Sequence, residues 1–108
     1  MAEKKITLES NNERYFCVTR HGVKVYPELV YPFEWHGHKF FAHGCLKRGG
    51  GFKKRLFNAT DVKTGAAVGY CYLTPMETVK QAKAKLTKMG EEAYERKVAA
   101  CPCPAEAV

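Results

Sequence analysis

Four side chains near the middle of the chain are of metal-ligating type: His36, His38, His43 and Cys45, spaced H-x-H-x4-H-x-C. Zinc takes tetrahedral N or S ligands at about 2.0–2.3 Å. Residues two apart on a strand share a face, so His36 pairs with His38 and His43 with Cys45. The two pairs are offset by an odd number and point to opposite faces unless a bulge or the Gly37 turn joins them. The expectation is turn histidines and a buried cysteine, with no metal and no cofactor. Cys101-Pro102-Cys103 is a lone C-x-C and carries less. A Cys/His nucleophile, from Cys45 with His43 or Cys71 with a distant His, lacks an orienting acid, because no Asp or Glu lies between Trp35 and Thr60. Glu28, Glu34 and Asp61 flank an irregular crossing or sit at a turn, so no paired carboxylates emerge. No catalytic residue is assigned, and a non-enzymatic protein is expected.

The sharper feature is Lys47–Arg55, K-R-G-G-G-F-K-K-R, with five cations in nine residues. Three consecutive glycines weaken both helix and strand, so the stretch is expected to be a mobile hairpin tip. It lacks the G-x-x-x-x-G-K-[ST] pattern of a nucleotide-binding loop. Lys47, Arg48, Lys53, Lys54 and Arg55, with Lys39 as a nearby uncompensated charge, suit phosphates or an acidic protein surface. Phe52 would stack on a base or wedge at a step. Lys80, Lys85 and Lys88 form a second candidate stripe.

These residues need a scaffold. Residues 4–9 and 13–20 read as short strands around an Asn-rich turn at 10–12, and His21-Gly22 leads to a short run at 23–26. Pro27 and Pro32 are expected to make 27–33 an edge or irregular crossing that carries Leu29, Tyr31 and Phe33 inward. After a turn at His36-Gly37, strands at 38–47, 53–60 and 66–73 form an antiparallel meander, with Asp61–Gly65 as the second connection. Thr74-Pro75-Met76-Glu77 combines an N-cap, a first-position Pro and an acid three residues after the cap. The helix should run to Met89 and stop at Gly90, with Met76, Val79, Ala82, Leu86 and Met89 on the packing arc. A weaker helix over 91–100 turns Tyr94 and Val98 inward. The result is an α+β fold: an antiparallel sheet of about five strands, one main helix on a face and a short C-terminal helix. One domain spans 1–100, and 101–108 is expected to fray.

The segments W-H-G-H-K-F-F-A-H, F-N-A-T-D-V-K-T-G and L-T-P-M-E-T-V-K-Q-A resemble short uncharacterised proteins of bacteriophage and mobile-element genomes. The resemblance covers about half the chain and rests on strand, turn and cap signals. It implies an origin and carries over no functional residue.

Composition bounds the rest. The chain has 108 residues, 45 % hydrophobic, with thirteen aromatics and a net charge of +7. That suits one folded domain with a modest core. The charge is uneven: residues 1–90 carry sixteen Lys/Arg against seven Asp/Glu, and residues 91–108 carry two against four. No membrane span or signal peptide is read, and the five cysteines are expected to be free thiols in the cytoplasm, with Cys17, Cys45 and Cys71 buried. The leading expectation is a small basic binding protein that engages nucleic acid or a nucleic-acid-handling host protein through the cationic hairpin. The alternatives are an inhibitor of a host enzyme or defence complex, in an anti-CRISPR-like role, and a zinc-binding module.

Overall fold

A computed structural model describes residues 7–19, 21–47 and 51–100. The centre of the fold is set by His36 and Gly37, whose φ values of 49° and 79° are those of a type I′ turn. The turn joins β4 (Leu29–Trp35) to β5 (His38–Leu46), with Trp35 opposite His38, Phe33 opposite Phe40 and Tyr31 opposite Ala42. The closing pair of such a turn is hydrogen-bonded, and alternate pairs follow suit, so the missing N–H of Pro32 falls on the side away from β5. On that side β1 (Glu9–Ser10) pairs only with Val30 and Leu29. Pro32 therefore costs no ladder bond. Of the two expectations for 27–33, an edge or an irregular crossing, the edge holds: the segment is a strand from Leu29 onward whose proline faces the largely open side. Leu29, expected inside, is 49 % exposed, and Val30 takes the core position.

β6 (Phe52–Asp61) and β7 (Ala67–Tyr72) complete an antiparallel five-stranded sheet in the order β1-β4-β5-β6-β7. On one face Phe33, Trp35 and Phe40 pack with Leu86 and Tyr94, from α1 (Pro75–Met89) and α2 (Glu91–Ala100). The other face buries Val30 and Phe41 with Cys17. It is covered by a separate two-stranded ribbon of β2 (Cys17–Val18) and β3 (Lys24–Val25). Asn11 anchors that ribbon: its Nδ2 donates to the carbonyls of Tyr15 (2.8 Å) and Pro27 (2.6 Å), and its Oδ1 accepts from Tyr15 N.

The main helix starts and stops where the cap signals put it. Thr74 Oγ1 accepts from Glu77 N at 3.1 Å, and Gly90, at φ 92°, donates its N–H to Leu86 O. Thr78, Val79, Ala82 and Leu86 are buried, whereas Met76, expected on the packing arc, is 60 % exposed. In the first turn the buried position is taken by Thr78 instead. Thr74→Ala is expected to cost about 0.5–2 kcal/mol, read by denaturant unfolding. An unchanged midpoint would mean that the cap contributes nothing. The second helix docks through Tyr94, whose hydroxyl donates to Asp61 Oδ1 at 2.9 Å. No helix among the described residues is long and apolar enough to cross a membrane.

Candidate functional site

The basic hairpin gets its shape from a break in register. β5 advances from Gly44 to Leu46 while the facing β6 residues run from Phe57 back to Phe52, so β6 carries surplus residues there. A regular strand would alternate its side chains in and out. Here Lys53, Lys54 and Arg55 are all exposed in succession, because the surplus backbone swings out of the ladder. Gly44 makes this possible: a Cβ at that position would overlap the carbonyl oxygen of Lys53. At the base of the loop Lys47 N donates to Gly51 O at 2.9 Å, with Gly51 at φ 81° and Lys47 exposed. Arg48 lies outside the described residues.

Two members of the expected set stand elsewhere. Phe52 is half-buried against the Cys17, Val30 and Phe41 cluster, edge-on to the His43 ring at 6.0 Å, so its ring packs on the core. Lys39 is at the opposite end of β5, eight residues or about 26 Å from Lys47 at the rise of a strand. Glu34 is its cross-strand neighbour. Lys39 instead lines a groove of about 670 Å³ along the open edge of β4, with Arg14, Lys83, Glu9 and Glu34.

The helix lysines are placed as expected. Lys80, Lys85 and Lys88 are exposed along α1. The helix begins at the hairpin end of the sheet, where Thr78 Oγ1 donates to Phe57 O at 3.3 Å. It ends beside Trp35, whose Nε1 donates to Thr87 Oγ1 at 3.2 Å. Lys80 is therefore nearer the hairpin, and Lys88 lies toward the far end.

The histidines and cysteines separate onto the two faces, as their odd offset requires. His36 is an exposed turn residue. His43 is buried on the ribbon face, where Nδ1 meets Gly44 O at 2.7 Å and Nε2 meets Thr60 Oγ1 at 2.6 Å and Cys17 Sγ at 3.2 Å. A carbonyl only accepts, so Nδ1 carries the proton and Nε2 is the acceptor. Burial pushes the His43 pKa down to about 4 and the Cys17 thiol up to about 12. Both groups are thus neutral at pH 7, a hydrogen-bonded core pair and not a thiolate–imidazolium nucleophile. Cys45, on the same face, is joined to Cys71 by a disulfide. For these two residues this corrects the expectation of free thiols, whereas Cys17 is free as expected. Where β6 leaves the ladder, β7 also shifts register, between its pairs with Phe57 and Ala59, and the bond joins β5 to β7 across it. Cys17 and the disulfide line one cavity of about 240 Å³ with His43 and Thr60.

His38 is on the helix face, its ring 4.6 Å from that of Tyr94. Its Nε2 is 3.5 Å from Glu91 Oε1 and 3.7 Å from Glu95 Oε1. The sequence reading missed both carboxylates because they join His38 only when α2 docks. Their i, i+4 spacing on an expected helix was the one available signal. No protein-family model matches the chain, and neither a curated protein nor a solved structure matches it.

Proposed function

We propose that this is a small non-enzymatic binding protein, of bacteriophage or mobile-element type, whose β5–β6 hairpin engages the phosphate backbone of nucleic acid. The observation that carries the reading is the run Lys53-Lys54-Arg55, three consecutive exposed cations displaced from the sheet by the register break. Lys47 adds a further exposed cation at the same end. With Phe52 withdrawn into the core, the hairpin has no exposed aromatic among its described residues, which favours a duplex backbone over a stacked single strand. A nucleic-acid partner would place the protein in the cytoplasm.

The test is fluorescence anisotropy with labelled duplex and single-stranded oligonucleotides at two salt concentrations. Lys53→Ala/Lys54→Ala/Arg55→Ala should leave the melting temperature unchanged and weaken duplex binding at least tenfold. It should also flatten the slope of log K against log salt by about 2.7, three phosphate contacts at about 0.9 each. No binding at low salt, or binding indifferent to the triple substitution, would remove the proposal.

One observation favours a second reading, an inhibitor that docks on an acidic surface of a host enzyme or defence complex. Leu73 and Met76, 75 % and 60 % exposed, sit at the β7–α1 junction, the hairpin end of the sheet. Apolar side chains beside cations suit a protein surface better than phosphates. Absence of oligonucleotide binding, with capture of a partner lost on Leu73→Ser, would favour it.

A further inference from the structure

We propose that His38, Glu91 and Glu95 form a site for a first-row divalent cation of the zinc class, which clips α2 to the β4–β5 hairpin. The three side chains each present one ligand atom, and these atoms lie within 4.8 Å of one another. The separations of 3.5 Å and 3.7 Å from His38 Nε2 to the two carboxylate oxygens are too long for good hydrogen bonds. They are close to the edge of a tetrahedron of ligands about 2.1 Å from a metal, which is about 3.4 Å.

The same separations leave a buried atom unsatisfied. His38 Nε2 is itself buried and has no hydrogen-bond partner, a cost that native structures normally avoid. A cation between the nitrogen and the carboxylates would satisfy it and would neutralise two acids placed one helical turn apart.

The donor set selects the metal. One imidazole and two carboxylates suit a borderline ion such as Zn2+, whereas Mg2+ and Ca2+ prefer oxygen ligands alone. The histidine side chain is 15 % exposed and the carboxylates 47 % and 58 %, so the ion would sit on a rigid inner ligand with its open side toward water. Trp35 and Tyr94, with ring centroids 6.0 Å and 4.6 Å from that of His38, fix the ring from both neighbouring elements. The site differs from the H-x-H-x4-H-x-C set: only His38 is shared, and its partners come from the second helix.

The experiment is calorimetric titration of the untagged, metal-free protein with Zn2+, together with the absorption spectrum of the Co2+ form. The expected result is one equivalent bound, a raised melting temperature, and a Co2+ spectrum free of thiolate charge transfer. Glu91→Gln/Glu95→Gln should lower the affinity at least a hundredfold with the far-ultraviolet spectrum unchanged, and the neighbouring Glu92→Gln should leave it intact. NMR of the wild-type chain adds a reading independent of any variant: the His38 ring signals should move on adding Zn2+ while those of His36 stay. No binding, binding kept by the double variant, a thiolate charge-transfer band, or static His38 signals would each overturn the assignment.

Discussion

Reduction of the Cys45–Cys71 bond is expected to lower the stability of the domain by about 3.5 kcal/mol. The estimate follows from the sequence separation of 26, treated as the loop that the cross-link closes in the unfolded chain. At the sensitivity usual for a domain of this size the melting temperature should fall by roughly 10–20 °C. The local structure makes the bond matter further. It bridges β5 and β7 where the intervening β6 departs from the β5 ladder, a region with fewer interstrand hydrogen bonds to hold it closed. The measurement is thermal unfolding with and without a phosphine reductant, beside a Cys45→Ala/Cys71→Ser variant. The variant should match the reduced wild type and ignore the reductant. Coincident oxidised and reduced melting curves would show that the cross-link contributes nothing. In a cytoplasm where glutathione keeps thiols reduced, the weaker form would be the working one. The oligonucleotide experiment is therefore worth running in both states.

Acidification should cost nearly as much through one side chain. Buried His43 takes a proton only near pH 4, whereas the unfolded imidazole takes one near 6.5. Between those values the unfolded state binds more protons, so stability is fully present above about pH 6.5 and falls with pH through the folded value. The loss reaches about 3 kcal/mol by pH 4. Cys17 imposes the opposite limb: the unfolded thiol ionises near 9.0 and the buried one near 12, so stability falls as pH rises between them. Carboxylates also titrate near pH 4, so the decisive comparison is His43→Gln against wild type by urea unfolding at pH 7 and pH 4.5. The variant should lose at least 2 kcal/mol less than wild type over that interval. Parallel losses would mean that protonation of His43 is not what unfolds the protein in acid.

Both effects belong to the ribbon face of the sheet, away from the main helix and from the proposed cation site on the second. Neither substitution touches Lys53, Lys54 or Arg55. A binding defect in the lysine and arginine variants can thus be separated from a folding defect in the disulfide or His43 variants. The register break links the two regions. Gly44 admits the β6 backbone, the surplus residues throw three cations outward, and the same departure leaves room for Cys71 to reach Cys45.

Legible from the residues alone was whatever depends on a few near neighbours in the chain. The Thr74 cap, Pro75 and Gly90 placed both ends of α1, since capping hydrogen bonds span only three or four positions. The His36-Gly37 and Asp61–Gly65 turns laid out the meander, because positive φ is available to few residue types. The charge gradient and the basic hairpin were legible because net charge needs no fold. The rest depends on how whole elements pack. Whether Pro32 breaks a strand depends on which side of it is unpaired, and that is known only once β1 stops at Val30. Phe52 packs on the core where the β5–β6 register resumes, opposite Leu46. Cys45 meets Cys71, and His38 meets Glu91 and Glu95, across separations that local propensity does not sense. A side chain's neighbours at such distance follow from the packing of whole elements, and so does the chemistry it can take part in.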